Sequence, residues 1–94
     1  MKVRYRQLAL IDLTEIFLYL SKRSPSGAHN VLAAINAAIK DIAENPQSAR
    51  KTSDAAVRVK IVRRYLYKIF YSIGTDEIEI LHVRHGARRP WNKE

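Results

Sequence analysis

The sequence predicts an α+β domain in which two helices pack against a mainly antiparallel sheet. Two patterns support this class: apolar residues recur every three or four positions between residues 7 and 45, and they alternate or run together between residues 57 and 85. Ninety-four residues are enough for one hydrophobic core and too few for two. We therefore expect residues 1–94 to form a single domain with the order β-α-α-β-β-β.

The chain begins with a predicted strand and helix. Residues 2–6 alternate polar and apolar side chains, which is typical of a short strand, and we expect it at an edge of the sheet. Over residues 7–22 the apolar positions repeat with helical spacing. The predicted stripe consists of Leu10, Leu13, Ile16, Phe17 and Leu20.

A second helix is predicted from Ser24-Pro25 to Asn45-Pro46. Ser24 can cap free backbone amides, and Pro25 at the first helical position loses no needed donor. Pro46 disfavours helix at the residue before it, so the helix should end there. Its apolar stripe consists of Ala28, Val31, Leu32, Ile35, Ala38, Ile39 and Ile42. Because only a short polar turn separates the two helices, they should form an antiparallel hairpin.

Three strands should follow a loop over residues 47–56. Residues 57–61 alternate, which predicts Val57, Val59 and Ile61 inward and Arg58 and Lys60 outward, as solvated charges. Residues 65–73 are apolar on both faces and rich in tyrosine, as expected of a central strand. Residues 74–76 read as a hairpin turn, so the three strands should form a meander.

The last strand starts at Glu77 and runs into a basic segment broken by Gly86 and Pro90. Strict alternation predicts Ile78, Ile80, His82 and Arg84 on one face, with Leu81, Val83 and His85 on the other. His82 and His85 would then point to opposite faces, which disfavours a metal site. We expect His82 to be a hydrogen-bonded histidine near the core and His85 to be the functional candidate.

Composition favours an acidic partner. The chain carries 17 Lys and Arg against nine acids, a net charge of +8, and residues 50–94 contribute +6 of it. The chain has no cysteine, which excludes disulfides and thiolate metal sites. No apolar run approaches the roughly 18 residues of a membrane span. We expect a soluble cytoplasmic protein without cofactor, metal or membrane association.

An aromatic strand followed by an aliphatic strand that ends in Arg-His-Gly-Ala-Arg resembles the RelE/ParE superfamily of type II toxins. The segments that carry this likeness are residues 65–71 and 78–89, and the likeness extends over nearly the whole chain. The resemblance implies a bacterial toxin, with a role such as plasmid stabilisation, held inactive by an antitoxin whose tail wraps the helices and sheet in a hetero-oligomer. The expected antitoxin contacts are Leu13, Phe17, Tyr65, Tyr67 and Arg84.

The superfamily contains two activities. RelE-like members cut mRNA on the ribosome with Lys and Arg of the central strands and often a Tyr or His near the C-terminus. ParE-like members poison DNA gyrase, and their C-terminal segment is important to that effect. A nuclease needs a base, phosphate-binding donors and an acid, which Lys60, Arg64, Arg84 and His85 could supply.

The C-terminal segment favours the ParE-like branch. Trp91 stands roughly where the nuclease Tyr would lie, and indole has no proton of useful acidity. We therefore expect a gyrase inhibitor that acts by binding. Its expected target contacts are Arg84, His85, Arg88, Arg89 and Trp91. An mRNA interferase, or a non-toxic relative that only binds antitoxin, remain alternatives, because arginine binds carboxylate and phosphate equally well.

Overall fold

The computed structural model describes residues 1–86, which form two helices and one five-stranded sheet. The elements are β1 (Lys2–Tyr5), α1 (Gln7–Ser21), α2 (Pro25–Glu44), β2 (Arg50–Lys51), β3 (Arg58–Val62), β4 (Tyr67–Ile73) and β5 (Glu77–His85). The sheet order is β1-β5-β4-β3-β2, with β1 parallel to β5 and every other pair antiparallel. The predicted α+β class, the meander and the edge position of β1 are confirmed.

One strand was not predicted. The two-residue strand β2 lies inside the segment expected to be a loop, with Arg50 opposite Val59 and Lys51 opposite Arg58. Neighbouring contacts fix this segment: the Arg58 guanidinium donates to the carbonyl of Ala49 at 2.6 Å, and the Tyr71 hydroxyl donates to that of Pro46. Burial of its ring raises the pKa of Tyr71. The sequence of this loop has no strand periodicity, so its pairing comes from these tertiary contacts.

The helix boundaries agree with the sequence. The Ser24 hydroxyl accepts a hydrogen bond from the Gly27 amide at 3.1 Å, with Pro25 at the first helical position. Helix α2 then buries one continuous stripe, which consists of Ala28, Val31, Ile35, Ile39 and Ile42. Neither helix within residues 1–86 combines the length and hydropathy that a bilayer crossing requires.

Helix α1 packs on the core through Ala9 and three of the five residues of the predicted stripe. Only Ala9 is fully buried, and Leu13, Ile16 and Leu20 are the half-buried residues that accompany it. Leu10 and Phe17, which the prediction placed on the buried stripe, are exposed. The prediction failed there because α1 is apolar around its circumference, so spacing alone does not select the buried face.

A β-bulge in β5 corrects the predicted faces of that strand. Tyr71 pairs with Ile80 whereas Phe70 pairs with His82, so Leu81 is an extra residue on β5. Ile78 and Ile80 join the helix-facing core before the bulge, and Val83 joins it afterwards. Leu81 instead lies on the sheet face away from the helices, which we call the outer face. The even-numbered face predicted for Arg84 with Ile78 and Ile80 is therefore wrong.

The predicted faces of β3 are also reversed. Val57 and Val59 pack with Phe70 and Leu81 in a second buried cluster, on the outer face. Lys60, predicted to point outward into solvent, lies on the helix side, where its ammonium contacts Asp41 of α2 at 2.7 Å. The alternation was predicted correctly, but it does not say which set of residues faces the helices.

Candidate functional site

A cleft of about 660 Å³ opens between α1 and the adjoining ends of β4 and β5. Its lining combines carboxylates from α1 with aromatic and basic side chains from the sheet. The lining residues are Asp12, Glu15, Ile16, Tyr19, Leu20, Tyr67, Val83, Arg84 and His85. The cleft exists because α1 lies against β5, so helix and strand side chains meet at the end of the sheet.

One carboxylate in the lining of the cleft connects α1 to β5. Asp12 Oδ2 accepts the backbone N–H of Val83 at 3.0 Å and also lies 3.0 Å from Nδ1 of His82. Because a carboxylate oxygen accepts, the imidazole donates from Nδ1. His82 is only 6% exposed, which confirms the prediction of a hydrogen-bonded histidine near the core. These bonds fix α1 to β5 just after the bulge.

Arg84 and His85 end on opposite sides of the sheet. The His85 ring packs edge-on against Tyr67, with ring centres 5.3 Å apart, and lines the cleft. The Arg84 guanidinium lies 5.8 Å from the centre of the Phe70 ring, which belongs to the outer-face cluster. The bulge produces this separation, because from Val83 onward the odd-numbered residues of β5 face the helices.

The four candidate nuclease residues are not gathered at one place. Lys60 forms its ion pair on the helix side, and that hydrogen bond lowers the pKa of Asp41. Arg64 lies in the β3–β4 turn with its guanidinium 5.4 Å from the Tyr65 ring. Arg84 is on the outer face and His85 borders the cleft. No single surface of residues 1–86 therefore presents all four groups to one phosphate.

The centre of the outer face is apolar. Val57, Val59, Phe70 and Leu81 are each at most 7% exposed. None of these side chains donates or accepts a proton, so this part of the sheet supplies no acid, base or phosphate ligand. Cations are found at its end instead, where Lys68 stands opposite Arg84.

Comparison with known proteins places the chain in a family. The model of the ParE toxin of the type II toxin-antitoxin system parDE matches residues 3–90. The chain belongs to the ParE toxin family. This agrees with the predicted RelE/ParE superfamily.

Two relatives and one solved structure are similar to this ParE-family chain. A putative toxin, Y4kP, of Sinorhizobium fredii is 36% identical over 90 residues, which are 96% of this chain and 92% of the relative. Toxin RelE2 of Caulobacter vibrioides is 29% identical over 80 residues, 85% of this chain and 89% of the relative. A chromosomal ParDE toxin-antitoxin structure from P. aeruginosa superposes with a TM-score of 0.79 at 20% identity, covering 90% of this chain and 95% of that one. At that identity the structural match shows the shared fold.

The predicted antitoxin contacts differ in their accessibility. Phe17 is exposed on α1, whereas Tyr67 is buried in the core and reaches only the cleft. Leu13 and Tyr65 are half-buried against the same core. Arg84 lines the cleft but directs its guanidinium toward the outer face.

Sequence reasoning missed most of the exposed apolar surface of α1. Five further large apolar residues of this one helix are at least 43% exposed: Leu8, Leu10, Ile11, Leu18 and Tyr19. Together with Phe17 they form what we call the α1 face. The missed signal was the apolar character of α1 all the way round, which in a water-exposed helix indicates a second partner.

Three of the predicted target contacts, Arg88, Arg89 and Trp91, lie outside the described residues. Arg84 and His85 are the two members of that set that the structure describes. They stand at the end of β5, immediately before Gly86.

Proposed function

We propose that this protein is a toxin that inhibits DNA gyrase by binding it and is neutralised by a cognate antitoxin. The observation that carries the proposal is the match of residues 3–90 to the ParE toxin family. Because gyrase acts on the bacterial chromosome and on plasmids, the proposal places the protein in the cytoplasm and is compatible with a role in plasmid stabilisation.

The arrangement of the basic residues supports binding rather than catalysis. General acid–base cleavage of RNA needs its groups within hydrogen-bond reach of one substrate. Here the Lys60 ammonium is occupied by Asp41 on the helix side, and Arg84 and His85 are on opposite faces. A binding surface has no such requirement, because its cations need only meet complementary charge.

Supercoiling of relaxed plasmid by purified gyrase, with and without the purified protein, tests the proposal. We expect inhibition and trapped cleaved DNA with the wild-type chain, and a loss of both in an Arg88→Ala/Arg89→Ala variant. Lys60→Met is the control, since a gyrase poison does not use Lys60 for chemistry. Undiminished supercoiling at a stoichiometric excess of folded protein would refute gyrase as the target.

The similarity to a protein named RelE2 makes mRNA cleavage the second candidate. A defined mRNA on translating ribosomes should remain uncleaved when this protein is added. Cleavage that is abolished by Lys60→Met and His85→Ala would instead assign the nuclease activity. A chain that is inert in both assays yet binds its antitoxin would be the non-toxic relative.

We further propose that the antitoxin covers the α1 face and the adjoining cleft in a hetero-oligomer. The α1 face exposes six large apolar side chains on a 15-residue helix. An apolar segment of a partner laid along that helix would remove this surface from water. Leu18, which is 55% exposed, is a suitable probe of the contact.

Co-purification with the protein encoded beside the toxin gene tests the antitoxin contact. We expect Leu18→Asp to abolish retention of that protein on a tagged toxin, because it places a charge in an apolar interface. Lys51→Asp at the far edge of the sheet is the control and should retain it. Equal retention by both variants would exclude the α1 face as the antitoxin site.

A further inference from the structure

The turn between β3 and β4 lies at one corner of the sheet, next to the end of β5. It contains two exposed arginines, Arg63 and Arg64, and Leu66, whose side chain is 58% exposed. We call this surface the turn corner, and it consists of Ile61, Arg63, Arg64, Leu66, Lys68 and Arg84.

Leu66 has an unfavourable conformation in an unfavourable environment. Its φ of 59° is the one positive value among the non-glycine residues of the described chain. Side chains with a Cβ rarely adopt that region, which Gly or Asn would occupy at lower cost. A large aliphatic side chain that is 58% exposed also gains little from burial. The backbone conformation costs stability, and residues with strained backbones concentrate at functional sites.

The strained turn is fixed in place. The Gly86 amide donates a hydrogen bond to the carbonyl oxygen of Leu66. A Cβ built on Gly86 would lie 2.5 Å from that oxygen, so glycine is needed for this approach. The turn is therefore held against the end of β5 in one orientation, and little ordering entropy remains to be lost on binding.

The charge of the turn corner is of one sign. Its cations are Arg63, Arg64, Lys68 and Arg84, and residues 55–75, which include the whole turn, contain no Asp or Glu. Lys68 stands directly opposite Arg84 in the β4–β5 ladder, and Ile61, which is 39% exposed, is the β3 neighbour of Lys68. The corner thus presents aliphatic side chains surrounded by positive charge.

We infer that the turn corner docks an acidic protein surface, with Leu66 as the apolar anchor. The inference rests on the proposed function, because the protein meant is the target that the toxin inhibits. A protein is favoured over a nucleic acid because the corner's exposed apolar residues, Leu66 and Ile61, are aliphatic. Single-stranded nucleic acid is bound on exposed aromatic platforms. Of the aromatic residues at this corner, Phe70 is buried and Tyr65 is half-buried against the core.

Substitutions of Leu66 separate a binding role from a structural one. Leu66→Gly removes the anchor and relieves the backbone, so it should maintain or raise the melting temperature while it weakens binding to purified gyrase about tenfold or more. Leu66→Asn should behave similarly, because Asn tolerates the same φ. Leu66→Met keeps an apolar side chain and should bind within about threefold of wild type.

The basic residues are tested with a charge-matched pair of variants. Arg63→Gln/Arg64→Gln removes two charges from the turn corner, and Arg50→Gln/Lys51→Gln removes two from β2. Gyrase binding is measured by biolayer interferometry at two salt concentrations. We expect the first variant to bind gyrase more weakly and with less dependence on salt, because charges at the edge of an interface act through electrostatic complementarity. The second variant should retain the affinity and the salt dependence of wild type.

Growth arrest, measured in a bacterial host that lacks the antitoxin, tests the role of the turn corner independently of whether gyrase is the target. If wild type arrests growth without binding gyrase, the gyrase proposal fails, yet loss of arrest in Leu66→Gly and its retention in Leu66→Met still support the turn corner. Undiminished arrest by Leu66→Gly would overturn the inference, whether or not gyrase is bound. Arrest with mRNA cleavage that depends on Arg63 and Arg64 but not on Leu66 would assign the corner to RNA. A wild-type chain that neither arrests growth nor binds gyrase would overturn both proposals.

Discussion

Replacing Asp12 with alanine should destabilise the fold far more than its half-buried position suggests. One oxygen of Asp12 accepts hydrogen bonds from His82 and from the Val83 amide, both at 3.0 Å. A hydrogen bond to a charged group contributes about 1.5–3 kcal/mol, and the helix propensity of alanine returns about 0.5 kcal/mol. For the two hydrogen bonds together we expect a net loss of about 2.5–5.5 kcal/mol, or roughly 10–40 °C in melting temperature for a domain of this size.

Urea denaturation, monitored by circular dichroism, measures the effect. The slope of the unfolding free energy against urea concentration should not change, because the substitution leaves the compactness of the folded and unfolded states unaltered. Glu15→Ala is the matched control, since Glu15 lines the same cleft from the same helix and is exposed. Asp12→Asn keeps an acceptor oxygen and should recover part of the loss. If the Asp12 and Glu15 alanine variants differ by less than about 0.5 kcal/mol, the argument that Asp12 fastens α1 to β5 is wrong.

Three further predictions concern stability. Gly86→Ala should lower the free energy of unfolding, measured by urea denaturation, by about 1–3 kcal/mol, because the new Cβ would lie 2.5 Å from a backbone oxygen. In the control Gly27→Ala the new Cβ meets only a side chain, so stability should change by less than about 1 kcal/mol. Ser24→Ala should lose about 1 kcal/mol as the cap of α2 is removed, and an unchanged midpoint would contradict that role. The hydrogen bond from Lys60, and secondly the positive charge of Lys60, lower the pKa of Asp41 below its ordinary value of 3.8. The contribution of this ion pair to folding stability is therefore fully present above pH 3.8 and is lost as the pH falls through the pKa of Asp41 in the folded protein. The stability difference between wild type and Asp41→Asn should therefore be constant above pH 5 and shrink below pH 4, and a difference that does not change with pH would exclude the pair.

Local signals in the sequence predicted the helices, the meander and the edge strand. The Ser24-Pro25 start and the Asn45-Pro46 stop have their causes within a few residues, so they are readable without a structure. The same holds for the turn at Gly74, where the glycine amide donates to the Glu77 carbonyl at 2.7 Å. The fold class followed from the order of these elements.

The errors arose where a local pattern has two tertiary solutions. An alternating strand has two faces, and nothing in residues 57–61 identifies the one that meets α2. The extra residue Leu81 was missed because the change of apolar positions from even to odd numbers at that point also fits an unbulged strand with apolar residues on both faces. On α1, an excess of apolar residues hid the choice of buried stripe. In each case the packing partner, absent from a local window, decides the outcome.

The bulge also determines how one strand end contributes to two surfaces. Without the extra residue, Arg84 would share a face with Ile78 and Ile80 beneath the helices. With it, His85 borders the cleft beside α1, and Arg84 directs its charge to the outer face near the turn corner. If the antitoxin covers the α1 face and the target docks at the turn corner, an antitoxin segment confined to α1 leaves the target surface open. Neutralisation then requires the antitoxin to continue past the end of β5, and truncating it at the cleft should preserve binding while restoring toxicity.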